Sequence, residues 1–133
     1  MNGKPIILIV DNEEESLELL CKILKEEDYT VLTAANSKEA LELVETERPN
    51  LAILNLNASD MNEIKILRRI KKIDENIEVL IITDYGTMKA ARTAMELGAY
   101  DYVTKPFDND YIRALIKNIF SPVPGELLQL ELK

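Results

Sequence analysis

Leu51-Ala52-Ile53-Leu54-Asn55-Leu56-Asn57 constrains the chain more than any other stretch. It follows Arg48-Pro49-Asn50, a chain break ahead of an apolar run. A run this short and this apolar reads as a strand covered on both faces, as in parallel sheets flanked by helices. In open α/β sheets, chemistry gathers outside the carboxyl ends of the strands. The first polar residue in the run, Asn55, is therefore where function is sought first.

The rest of the chain repeats the theme. Pro5 to Val10 is a second buried strand, ending in the acidic run Asp11 to Glu15. Leu17, Leu20, Cys21 and Leu24 recur at helical spacing behind it, and acids at a helix start suit its dipole. Tyr29 to Ala34 is β-branched and reads as a strand; Asn36 with Glu39 forms a capping-box start for a helix that buries Ala40, Leu41 and Val44. A third helix spans about Asn62 to Lys72, with Ile64, Leu67 and Ile70 inward. Its basic residues, Lys65, Arg68, Arg69, Lys71 and Lys72, read as a solvated face or a docking surface for an acidic partner. Val79 to Ile82 is a strand leading into Thr83-Asp84; a helix with Ala91, Ala94 and Met95 inward stops at Gly98. Tyr100 to Val103 is a short strand before Thr104-Lys105-Pro106, and Ile112, Leu115, Ile116 and Ile119 mark a last helix. Alternating strands and helices imply a three-layer α/β fold: a doubly wound, five-stranded parallel sheet with right-handed crossovers. Residues 1–120 read as one domain. Residues 121–133, opened by Ser121-Pro122-Val123-Pro124-Gly125 and closed by an alternating segment, read as a linker or tail with a candidate edge strand.

Composition excludes several classes. At 47% apolar and 30% charged residues the chain is globular, not disordered. A net charge of -8 disfavours direct binding to nucleic acid or to anionic membranes. The absence of His removes His-based metal sites and Ser-His or Cys-His catalysis. The single cysteine, Cys21, forms no internal disulfide, so a reducing cytoplasm is expected. Ile6 to Val10 is too short for a signal peptide or a span.

Polar residues stand at four strand tips: Asp11-Asn12, Asn55, Thr83-Asp84 and Lys105. A parallel sheet brings these tips to one edge, so that carboxylate, amide, hydroxyl and ammonium converge on one shallow pocket.

With these residues in place, the sequence resembles the receiver domains of two-component response regulators from about Lys4 to Phe120. The matching segments are ILIVDNEEES, RPNLAILNLNASDMNEIKILRRIK and VLIITDYGTMKAARTAMELGAYDYVTKPFD. Among receivers it is most similar to those preceding ATPase activators of transcription. The resemblance implies flavodoxin-like topology and a set of site positions. Asp11 and Asn12 stand at the acidic pair, Asn55 at the phosphoacceptor and Asn57 at the metal-facing carbonyl. Thr83 and Tyr102 stand at the switch positions and Lys105 at the phosphate-pairing lysine. It also implies a cis bond before Pro106, and partners (histidine kinase, output domain or a second copy) met through the fourth helix, fifth strand and fifth helix.

The departures from the family's pattern set the functional expectation. The family's nucleophile is a carboxylate; the amide of Asn55 cannot form an acyl phosphate by that route. Asn12 removes a second acid, so no cofactor is required, and Mg²⁺, if held by Asp11, Asn55 and Asn57, binds weakly. Asp84 stands where the family has a small residue, and Ser59 and Glu63 where it has Pro and Gly. Fewer clustered carboxylates repel each other less, and Lys105 is expected to pair with Asp11 or donate to the Asn55 carbonyl. The leading expectation is a non-enzymatic, atypical receiver acting as an interaction or dimerisation module without phosphorylation. The alternative is an ordinary receiver whose acid at position 55 has been replaced by Asn. A small flavodoxin-like enzyme or nucleotide-binding domain is the remote third; no G-x-G-x-x-G or P-loop lysine supports it.

Overall fold

The computed structural model describes residues 3–56, 63–84 and 87–121. Five strands alternate with five helices: β1 Ile6–Val10, α1 Glu14–Lys25, β2 Thr30–Ala34, α2 Ser37–Glu47, β3 Leu51–Leu56, α3 Glu63–Ile73, β4 Glu78–Thr83, α4 Met88–Glu96, β5 Asp101–Thr104 and α5 Asn109–Phe120. The strands form one sheet in the order β2-β1-β3-β4-β5, and each neighbouring pair is parallel. The order turns back on itself between β1 and β3, the switch point at which such sheets place their ligands.

Strand alternation divides the core into two halves. Ile7 and Ile9 of β1, Leu51 and Ile53 of β3, and Leu80 and Ile82 of β4 pack with Leu20 and Leu24 of α1 and Ile112 and Ile116 of α5. The intervening Leu8 and Val10, Ala52 and Leu54, and Val79 and Ile81 pack with α2, α3 and α4 through Val44, Leu67, Ile70 and Ala94. Strands covered on both faces explain why the apolar runs show no polar alternation.

The ends of the elements are set locally. Asn36 Oδ1 accepts from Glu39 N at 2.9 Å while Glu39 Oε1 accepts from Ala35 N at 2.9 Å, a variant of the capping box in which the Glu39 arm reaches the residue before the N-cap. After α4, Gly98 at φ +99 allows Ala99 N to reach Ala94 O (3.0 Å) and Gly98 N to reach Met95 O (3.1 Å), satisfying carbonyls the helix leaves open. Arg48, at φ 45, ends α2 in the left-handed region.

Some expectations need correction. The strands expected to start at Tyr29, Val79 and Tyr100 start at Thr30, Glu78 and Asp101, and α3 runs from Glu63 to Ile73. Met95, expected inward, is 47% exposed: the face of α4 that meets the sheet is narrow and is filled by Ala94. On α3, Lys65, Arg68, Arg69 and Lys72 are exposed, but Lys71 turns back to donate to the Ile77 carbonyl at 2.7 Å. The edge strand expected in the tail lies outside the described residues.

Candidate functional site

The alternation that sorts the core also sorts the polar tips. Asp11 continues the Ile7–Ile9 parity, Asn55 that of Leu51 and Ile53, and Lys105 that of Val103. These three therefore belong to the side of the sheet covered by α1 and α5. Thr83 continues the Val79–Ile81 parity, and Tyr102 packs on the same half of the core.

Asp11 and Asn55 form a buried pair, 2% and 1% exposed. The Asn55 amide Nδ2 donates to Asp11 Oδ2 at 2.6 Å. The other carboxylate oxygen, Oδ1, accepts from the backbone N–H of Glu13 at 2.8 Å, so Asp11 also organises the entry into α1, which has no side-chain cap of its own. Burial pushes the Asp11 carboxyl above its usual range. The Glu13 backbone bond, the Asn55 amide and the charge of Lys105 pull the other way, and the Glu13 carboxylate adds a smaller upward push. Asn55 Oδ1 is left with no hydrogen-bond partner among the described residues.

Lys105 acts on Asp11 through its charge, but its ion pair is made with Asp84, and the expected donation to the Asn55 carbonyl is corrected. Its Nζ lies 4.0 Å from Asp84 Oδ2, with the Lys105 side chain 16% exposed, and it makes no bond to the Asn55 carbonyl. The physical reason is that Asn55 already supplies the donor that Asp11 needs, while Asp84 offers the ammonium a carboxylate at the solvent edge. The Lys105–Pro106 peptide bond is cis. Asn12 is exposed.

On the opposite side, Thr83 is 2% exposed. The Tyr102 hydroxyl donates to Glu63 Oε1 at 3.3 Å, tying β5 to the first residue of α3. Burial, and then the Glu63 charge, pushes the Tyr102 phenol up to about 12; burial also raises the Glu63 carboxyl, which the Tyr102 bond partly offsets. Sequence reasoning marked Glu63 as a loop departure and missed this contact. The partners are 39 positions apart, and no helix or strand periodicity links them. Asn57 and Ser59 lie outside the described residues.

The donor set does not fit an inner-sphere magnesium site. Mg²⁺ calls for near-octahedral oxygen ligation anchored on carboxylates. Here both oxygens of Asp11 already accept N–H groups, and the neighbouring Asn12 is neutral. Among the described residues no three His, Cys, Asp or Glu side chains are grouped to hold a metal.

A doubly wound parallel sheet with an acid, an amide and a lysine at its switch-point edge is the architecture of a signalling receiver. Residues 7–117 match the response regulator receiver domain model, and the chain belongs to that family. It is 44% identical over 117 residues to sporulation initiation phosphotransferase F of Bacillus subtilis, covering 88% of this chain and 93% of that one. It is 34% identical to the alkaline phosphatase synthesis transcriptional regulatory protein PhoP of the same organism, over 90% of this chain and 49% of PhoP. The chain spans only 24% of an NtrX-like response regulator of Rickettsia bellii. The solved CheY-like receiver domain protein of Methanospirillum hungatei superposes with a TM-score of 0.81 at 26% identity, covering 90% of this chain and 97% of that one. Among the described residues no helix is long and apolar enough to cross a membrane.

Proposed function

We propose that this receiver domain signals by protein contact, without phosphoryl acceptance at position 55. The observation that carries the reading is the buried Asn55–Asp11 bond at 2.6 Å. An acyl phosphate needs a carboxylate oxygen as nucleophile. Asn55 presents an amide whose nitrogen lone pair is delocalised, and its hydrogen occupies the acid that would otherwise help to hold a metal. Lys105, the residue the family pattern assigns to the phosphoryl group, faces Asp84 instead. The resting arrangement thus holds neutral or compensated pairs where a phosphorylatable site needs a free nucleophile, a dication and an unpaired ammonium.

The partner surface in this reading is the face of α4, β5 and α5, where Met88, Met95 and Tyr111 are 82%, 47% and 49% exposed. Its partners are signalling proteins of the cytoplasm: a histidine kinase, an output domain or a second copy. Residues 1–120 constitute the module, and residues 121–133 the linker or tail. The test is an intact-mass measurement after incubation with acetyl phosphate and Mg²⁺. An unchanged mass is expected; a phosphoryl adduct refutes the reading and directs attention to other acceptors, among them Asp84, an exposed carboxylate 4.0 Å from Lys105.

A second reading is favoured by the name of the Bacillus subtilis relative, a phosphotransferase. In it, the protein accepts phosphate in a form bearing an acid at position 55. The codon in the encoding gene separates the two: an Asn codon supports the first, an Asp codon the second.

A further inference from the structure

The function proposed at position 55 makes no use of the basic stripe of α3. Lys65, Arg68, Arg69 and Lys72 are all exposed and recur at the spacing of one helix face. Arg68, Arg69 and Lys72 have no ion pair among the described residues. Like charges at these spacings repel, so the stripe costs the helix stability unless something of opposite charge meets it. Ile64, Lys65, Arg68 and Arg69 border an open depression of about 440 Å³ whose surface is mainly apolar. Glu42 and Glu45 of α2 line the neighbouring groove with Arg69 but form no ion pair with it.

The complementary surface stands on α1 of the same chain. Glu14, Glu15 and Glu18 are exposed and make no ion pair among the described residues. Leu19 beside them is a large apolar side chain left 44% exposed. Glu15, Glu18 and Leu19 share one face, because residues three and four apart are neighbours on a helix. The helix α1 covers one side of the sheet and α3 the other, so these two surfaces meet only between two molecules.

We propose that the basic stripe of α3 docks α1 of a second copy of this chain, with the two helices antiparallel. Glu15 and Glu18 then meet Arg69 and Arg68. Leu19, about 6 Å further along α1 than Glu15, reaches the depression beside Ile64. A parallel register with Glu15 on Lys65 sets Leu19 against Arg69 and Lys22 against Lys72, which the charges disfavour. The contact is head-to-tail, so association runs on without closing into a fixed dimer. One helix on another buries little area, which sets a weak Kd of about 0.1–1 mM. The net charge of -8 on each copy opposes the contact, but physiological salt screens it beyond about 8 Å. This surface is separate from the face of α4, β5 and α5 and does not depend on the reading of Asn55.

The experiment is sedimentation equilibrium of the full chain at concentrations up to about 1 mM, the range of the expected Kd. A weight-average mass that rises with concentration is expected, with the association constant falling about tenfold between low and high salt. Arg68→Glu with Arg69→Glu, and separately Glu15→Arg with Glu18→Arg, are each expected to weaken association about tenfold or more. The α1 variant also lowers the net negative charge, so general repulsion between copies predicts the opposite sign for it. Mixed in equal amounts, the two variants are expected to restore association, because the α1 acids of the first meet the α3 arginines of the second. All four side chains are exposed, and far-UV circular dichroism checks that each variant keeps its fold. A monomer mass at every concentration, association indifferent to either reversal, or no restoration in the mixture overturns the proposal. The last of these results assigns the stripe to an acidic partner of another sequence.

Discussion

Asn55→Asp converts the buried hydrogen bond into a carboxylate pair, and the structure fixes what that costs. The 2.6 Å separation and the burial of both residues leave little room or solvent between the two oxygens. The variant loses one hydrogen bond to a charged group, worth about 1.5–3 kcal/mol. At an effective dielectric of about 20, two unit charges repel by about 4 kcal/mol even after relaxing to about 4 Å. The pair escapes by keeping one proton, so its second ionisation is driven upward. Folded protein then binds more protons than unfolded protein between the ordinary carboxylate value and that raised value, and the stability of the variant falls as pH rises through this window. The expected loss relative to the parent is about 4 kcal/mol at pH 7.5, shrinking below about 1 kcal/mol near pH 4.5, where the shared proton restores an O–H···O bond. Urea unfolding of both proteins across that range reads the difference directly. Superimposable denaturation midpoints at every pH would show that the Asn55–Asp11 contact has no energetic part in the fold.

Other contacts give independent checks. Glu63→Gln removes the charge facing Tyr102, so the phenol, now pushed up to about 12, should titrate lower in an absorbance pH titration. Tyr102→Phe should raise the Glu63 carboxyl further, because the hydroxyl bond is what pulls it down, and should cost about 1 kcal/mol in urea unfolding. Asn36→Ala strips the side-chain cap of α2 and should cost about 1 kcal/mol by the same measurement. Leu54→Ala, at a fully buried position of β3, should cost about 2–5 kcal/mol by leaving a cavity between α2, α3 and the sheet.

Much of this molecule was legible in the sequence because its signals are local. The runs of β1, β3 and β4 are apolar on both faces, and the cap at Asn36 and the stop at Gly98 each lie within a few residues of what they terminate. The polar tips were legible for the same reason, since a parallel sheet puts every carboxyl end on one edge. What was not legible was who bonds whom there. Asp11 and Asn55 are 44 positions apart, and the choice of Asn55 over Lys105 as partner depends on distances that only the packed sheet sets. Met95 failed because helical periodicity fixes a direction but not how wide a face the neighbouring layer covers.

Asp11, Asn55 and Lys105 project to the α1/α5 side, while Thr83 and Tyr102 belong to the α3/α4 side. Among the described residues, Asn55 and Tyr102 thus lie on opposite sides of the sheet, and Glu63 holds the Tyr102 hydroxyl. β5 carries Tyr102, and its Asp101–Thr104 segment is short, sits at the edge of the sheet and is hydrogen-bonded on one side to β4. An edge strand with one neighbour yields more readily than a central one, so β5 is expected to open before β3, and with it the contact that Tyr102 makes to Glu63.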